Sequence, residues 1–65
     1  MKISLRALRV NQNMRQSDLA AAVGVSLSTI KNWETGKSFP AQPKIDKLCE
    51  IFGVPYDTIN FLPTD

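Results

Sequence analysis

Residues 16–36 read QSDLAAAVGVSLSTIKNWETG, two apolar patterns of helical period with one glycine between them. In the first, Leu19, Ala20 and Val23 recur at helical spacings, which predicts a helix over about 16–23 with one buried stripe. Gly24 follows the last apolar residue, where a left-handed terminating position belongs. Ser26 is a good N-cap for the next helix, which buries Ile30 and Trp33 and stops at Gly36. With Ile30 and Trp33 turned inward, Leu27, Ser28, Lys31, Asn32 and Thr35 are left for the outer side. A run of small hydroxyl and amide residues therefore shares a helix with the chain's only tryptophan.

Working outward, Leu5 and Leu8, each followed by an arginine (Arg6 and Arg9), predict an amphipathic helix from Ser4 to about Asn11. Asn13 is a plausible left-handed terminator after it, since asparagine tolerates positive φ better than most residues. On the other side, KSFPAQP is a loop with two prolines, and Pro43 fits the first turn of a fourth helix, where its missing N–H is harmless. Ile45, Leu48, Ile51 and Phe52 form that helix's apolar stripe, and Gly53 ends it. In VPYDTINFL, Tyr56, Ile59 and Leu62 stand at i, i+3 and i+6, which predicts a short fifth helix starting near Pro55. No stretch alternates apolar and polar residues long enough to predict a strand, and no repeat is present. The expected architecture is all-α, five short helices around one small core, with residues 1–65 as a single domain.

Composition narrows the function classes. At 65 residues the chain is near the lower size for folding without disulfides or metal. Cys49 is the only cysteine and there is no histidine, so neither a disulfide framework nor a His/Cys metal site is expected. No apolar run approaches the ~18 residues of a spanning helix, and MKISLRALRV lacks the apolar centre of a signal peptide. These features predict a soluble, cytoplasmic protein with no membrane role. Charge is unevenly placed: residues 1–38 hold six cations against two carboxylates, and residues 39–65 two against four. A basic front and an acidic back point to a polyanion as partner on one side.

The segment QSDLAAAVGVSLSTIKNWETG resembles a helix-turn-helix of the Cro/repressor, xenobiotic-response-element-like family. Leu19, Val23, Val25, Ile30 and Trp33 fall at the motif's apolar positions, Ala20 is small where the two helices cross, and Gly24 supplies the turn. Downstream, WETGKSFPAQPKIDKLCEIFGVPYDTINFL is similar to the family's spacing of W-E-x-G, loop proline, leucine-bearing fourth helix and G-V. The resemblance runs from about Leu5 to Leu62 and implies a lambda-repressor-like domain with the motif, about 16–35, in its second and third helices.

What the resemblance implies is sequence-specific binding of double-stranded DNA by a transcriptional regulator, with the helix from about Leu27 to Thr35 in the major groove. Asn32 can pair bidentately with adenine, Lys31 can donate to guanine O6 and N7, Ser28 can bond several base edges, and Leu27 can pack on a thymine methyl. Backbone contacts are expected from Arg15, Gln16, Ser17, Thr35, Lys37 and Ser38, with Gln16 foremost because it starts a helix, whose N–H groups and dipole favour a phosphate. Arg15 stands where the family has a small polar residue, so the second helix is expected to lack a side-chain N-cap while the charge strengthens the phosphate contact. Arg9 and Glu34 match an arginine and a glutamate that pair in the resembling proteins. They are assigned to a structural ion pair bracing the recognition helix, not to the DNA contact set. Two copies are expected on a near-palindromic operator, as a weak homodimer. The chain reads either as a complete Cro-like protein or as the N-terminal domain of a longer repressor.

Catalysis is not expected, nor any cofactor: Ser17 has no base to activate it, Cys49 has no histidine partner, and the glycines cap helices instead of forming a phosphate loop. The competing reading is an antitoxin-like protein-interaction module on the same fold, docking a partner through an apolar end around Tyr56, Phe61 and Leu62.

Overall fold

The computed structural model describes residues 2–61. In chain order they form strand β1 (Ile3–Ser4), helices α1 (Leu5–Asn11), α2 (Gln16–Val23), α3 (Leu27–Thr35) and α4 (Gln42–Phe52), a single 3-10 turn at Tyr56–Thr58, and strand β2 (Ile59–Asn60). Local chemistry sets the boundaries. The Ser4 and Ser26 hydroxyls accept the N–H of Ala7 and Thr29, capping α1 and α3. Asn13 takes a φ of 58° after α1, so the left-handed residue expected there is present. At Gly24, φ is 85°, and the Ala20 carbonyl accepts the N–H of both Gly24 and Val25, which closes α2 and turns the chain towards α3. α4 begins with Pro43 in its first turn.

α2 packs against α3 and α4, and α1 against α3. The largest wholly buried side chains are Leu5, Leu19, Ile30 and Leu48, one from each helix. Burying a side chain of this kind contributes about 1.5–3 kcal/mol. Leu8, Ala20, Val23, Trp33, Phe52 and Ile59 complete the core, and Ile45 and Ile51 of the expected α4 stripe are only half-buried.

The C-terminal segment departs from the sequence expectation. There are four α-helices among the described residues, not five, and the stretch expected to be the fifth is the 3-10 turn followed by β2. β2 lies parallel to β1, with Ile3 opposite Ile59 and Ser4 opposite Asn60. The physical reason lies in the side chains. Ile59 is buried while Tyr56 is 57% exposed, so the i, i+3 pair does not share an inward face. A segment this short gains little from helix propagation after nucleation, whereas a β-branched residue beside Ile3 gains both a ladder and burial. Leu62, the third member of the pattern, lies outside the described residues.

Candidate nucleic-acid interface

α3 has two unlike sides. Ile30 and Trp33 are buried in the core, and Leu27, Ser28, Lys31 and Thr35 are exposed, with Asn32 half-buried at the boundary. Leu27 is 41% exposed at the first position of the helix. Among the described residues, the side chains of Ser28, Lys31 and Asn32 make no hydrogen bond within the chain. The outer side therefore offers a hydroxyl, an ammonium, a carboxamide and an apolar group over two turns.

The residues expected to touch a backbone are placed less uniformly. Arg15 and Ser17 are exposed beside the N-terminus of α2, and Gln16 is half-buried between them. Arg15 is the N-cap residue of α2 and supplies no side-chain cap, since a guanidinium has no acceptor. The N–H of Arg15 instead donates to the Asp18 carboxylate at 2.8 Å. That bond, ahead of weaker help from the Arg15 guanidinium at 3.4 Å, lowers the Asp18 pKa below the usual carboxylate range. Asp18 is a capping residue that the sequence reading passed over, although an acid three residues after the N-cap is the available signal.

Beyond Gly36, the backbone N–H groups of Lys37 and Ser38 both point to the Asn32 carbonyl, at 2.9 and 3.4 Å, so a partner would meet their side chains only. The Thr35 hydroxyl donates to the Lys31 carbonyl at 2.9 Å. Its oxygen remains an acceptor, so a phosphate contact through Thr35 requires the hydroxyl to rotate away from the helix.

Behind α3 lies a polar junction of three helices. Arg9 of α1 donates Nε to Glu34 Oε2 at 2.6 Å and Nη2 to Oε1 at 3.2 Å, a bidentate pair whose side chains are 10% and 5% exposed. Its remaining amino group, Nη1, donates to the Met14 carbonyl at 2.8 Å. Gln16 of α2 donates Nε2 to Glu34 Oε1 at 3.1 Å. Every buried side-chain polar atom among the described residues has a partner, which is the condition under which a buried ion pair is tolerated. Sequence reasoning placed Arg9 with Glu34 but did not join Gln16 or the Met14 carbonyl to them. The latter is a backbone group and leaves no residue signature.

A second feature lies away from both motif helices. Lys2, Phe39, Pro40, Ile45, Tyr56, Asn60 and Phe61 line an open groove of about 430 Å³, and Phe39 and Tyr56 are each 57% exposed. No helix among the described residues is long and apolar enough to cross a membrane.

The helix-turn-helix family profile matches residues 5–59. The chain is 33% identical over 55 residues to the HTH-type transcriptional activator BcrR of Enterococcus faecalis, covering 85% of this chain and 27% of that protein. It is 33% identical over 51 residues to the cryptic phage CTXphi transcriptional repressor RstR of Vibrio cholerae, covering 78% and 46%. Against an uncharacterised HTH-type transcriptional regulator of Methanocaldococcus jannaschii it is 39% identical over 65 residues, covering 100% of this chain and 98% of the other. The chain thus spans less than half the length of the first two relatives. No solved structure matches it.

Proposed function

We propose that this chain, which belongs to the helix-turn-helix family, is a DNA-binding transcriptional regulator that reads the major groove of double-stranded DNA with α3. The observation that carries the reading is the division of α3 into a buried side and an outer side whose polar side chains are uncommitted within the chain. Leu27, Ser28, Lys31 and Asn32 are the base-contacting set, matched in type to thymine methyl, mixed base edges, guanine and adenine. Arg15, Gln16, Ser17, Thr35, Lys37 and Ser38 fix the register on phosphates. Residues 1–65 act as one unit in the cytoplasm, without catalysis. Names of related proteins include both an activator and a repressor, and repression is the outcome proposed here.

Two copies occupy a near-palindromic operator, with half-sites about one helical turn apart. Selection of binding sites from random duplexes at moderate salt tests the proposal. Enrichment of a two-fold sequence is expected, with log affinity falling against log salt by about 0.9 per phosphate neutralised. Replacing Asn32 with alanine then relaxes the preference at one position of each half-site. The absence of any enriched sequence overturns the proposal.

One observation favours a second use of the fold. The groove bearing Phe39 and Tyr56 contains no residue of α2 or α3, so an apolar protein contact there, with a second copy or an antitoxin-type partner, leaves the DNA-facing helices free. Such a contact is distinguished by its weak response to salt.

A further inference from the structure

We infer that Glu34 is a positioning residue for Gln16: it holds the side-chain amide of the first residue of α2 in the orientation that meets a DNA phosphate. The inference rests on the reading of the chain as a DNA-binding protein and adds to it a residue that touches no DNA. A glutamine side chain with three rotatable bonds ordinarily samples many rotamers, and freezing it on binding weakens the contact it makes. Here the freezing happens during folding. One amide hydrogen of Gln16 is directed to Glu34 Oε1 at 3.1 Å. Because the amide is planar, fixing one hydrogen fixes the direction of the other, which is left for an acceptor outside the chain.

The carboxylate that does this is itself immobile. Both oxygens of Glu34 are held by Arg9, whose third anchor is the Met14 carbonyl, and the Glu34 side chain is 5% exposed. Arg9 has a second consequence for a polyanion. An unpaired carboxylate this close to Gln16 would repel a phosphate, and the bidentate guanidinium cancels that charge. The backbone-gripping residue of α2 is therefore registered to α3, the base-reading helix, through a neutral junction rooted in α1.

A double-mutant cycle on DNA affinity tests the assignment, using Gln16→Met, Glu34→Gln and the pair together. The probe is a mixed-sequence duplex of about two helical turns at low salt, since phosphate contacts are independent of sequence. Glu34→Gln keeps the size of the side chain but has a single oxygen. With that oxygen on Arg9 Nε, its amino group faces Gln16, donor against donor. Gln16→Met is expected to weaken binding about tenfold. Glu34→Gln should weaken it about fivefold in the native background and leave the affinity of the Gln16→Met chain unchanged. Equal losses from Glu34→Gln in both backgrounds mean a structural role only and overturn the inference, as does a Gln16→Met chain that binds like the native one. If Glu34→Gln does not fold, nitrogen relaxation of the Gln16 side-chain amide in the native, DNA-free protein decides instead. An order parameter near that of rigid backbone, about 0.85, supports the assignment, and one below about 0.6 overturns it. A native chain that leaves the duplex untouched at low salt overturns the DNA reading itself, a result separable from any outcome of the cycle.

Discussion

The two ends of α3 are built in opposite ways. At the C-terminal end every residue is engaged: Trp33 is in the core, Glu34 holds Arg9 and Gln16, the Thr35 hydroxyl is bonded to the Lys31 carbonyl, and the Asn32 carbonyl receives the N–H of Gly36, Lys37 and Ser38. At the N-terminal end, Ser26 caps the helix and Leu27 and Ser28 stand exposed. Anchoring and presentation, often ascribed to opposite faces of a helix, are here also separated along its length. Substitutions at the two ends should therefore fail differently, one through stability and the other through recognition.

The largest effect is expected at the anchored end. Glu34→Ala leaves the Arg9 guanidinium buried against the core without its counter-charge, a loss of about 3–5 kcal/mol in the harsher cases. For a domain of this size each kcal/mol moves Tm by about 4–8 °C, so thermal denaturation followed by circular dichroism should show a fall well beyond 10 °C. A change near zero would mean that the pair is incidental to the fold. Ser26→Ala is expected to remove about 1 kcal/mol by uncapping α3, visible as a shift in the urea midpoint with an unchanged slope. This would mark Ser26 as the one structural commitment of the presenting end. Smaller still is the contribution of Asp18, a titrating cap on α2. Its pKa is lowered in the folded state, so its stabilisation is complete above the ordinary carboxylate range and is lost as pH falls through the lowered value. Stability of the native chain and of Asp18→Asn, compared across an acid titration, should converge as that pH is passed. Divergence on acidification would contradict the assignment. Smallest in stability is Asn32→Ala, expected within about 0.5 kcal/mol, so any loss of DNA selectivity in that variant reports on recognition.

The helices of this chain were legible in the sequence because their ends are marked chemically. Glycines at 24, 36 and 53, asparagine at 13 and serine at 26 are each forced by a backbone conformation or an orphan N–H, and such signals are local. The outer side of α3 was legible because two buried residues fix the phase of a helix. What escaped was of another kind. Two strands of two residues each are too short to show a period, and their pairing depends on Ile3 meeting Ile59 across nearly the whole chain. The bond from Gln16 to Glu34 was equally hidden. Gln16 looked like a residue of the α2 N-terminus alone, and its partner lies 18 positions away on the next helix.

The parallel strand pair has a further consequence, for construction. By laying Ile3–Ser4 beside Ile59–Asn60, the fold sets the segments that enter and leave its helical unit side by side and running the same way. Because the pair is parallel, a module fused ahead of Lys2 and another fused behind Phe61 would leave from opposite ends of the two strands, in opposite directions, and the domain would act as an in-line spacer between them. For the same reason a tight turn cannot join the ends: a bridge has to cross from the end of β2 back to the start of β1, which takes about a dozen residues or more. New termini can then be opened in an exposed loop such as that around Phe39 without changing which residues α3 presents.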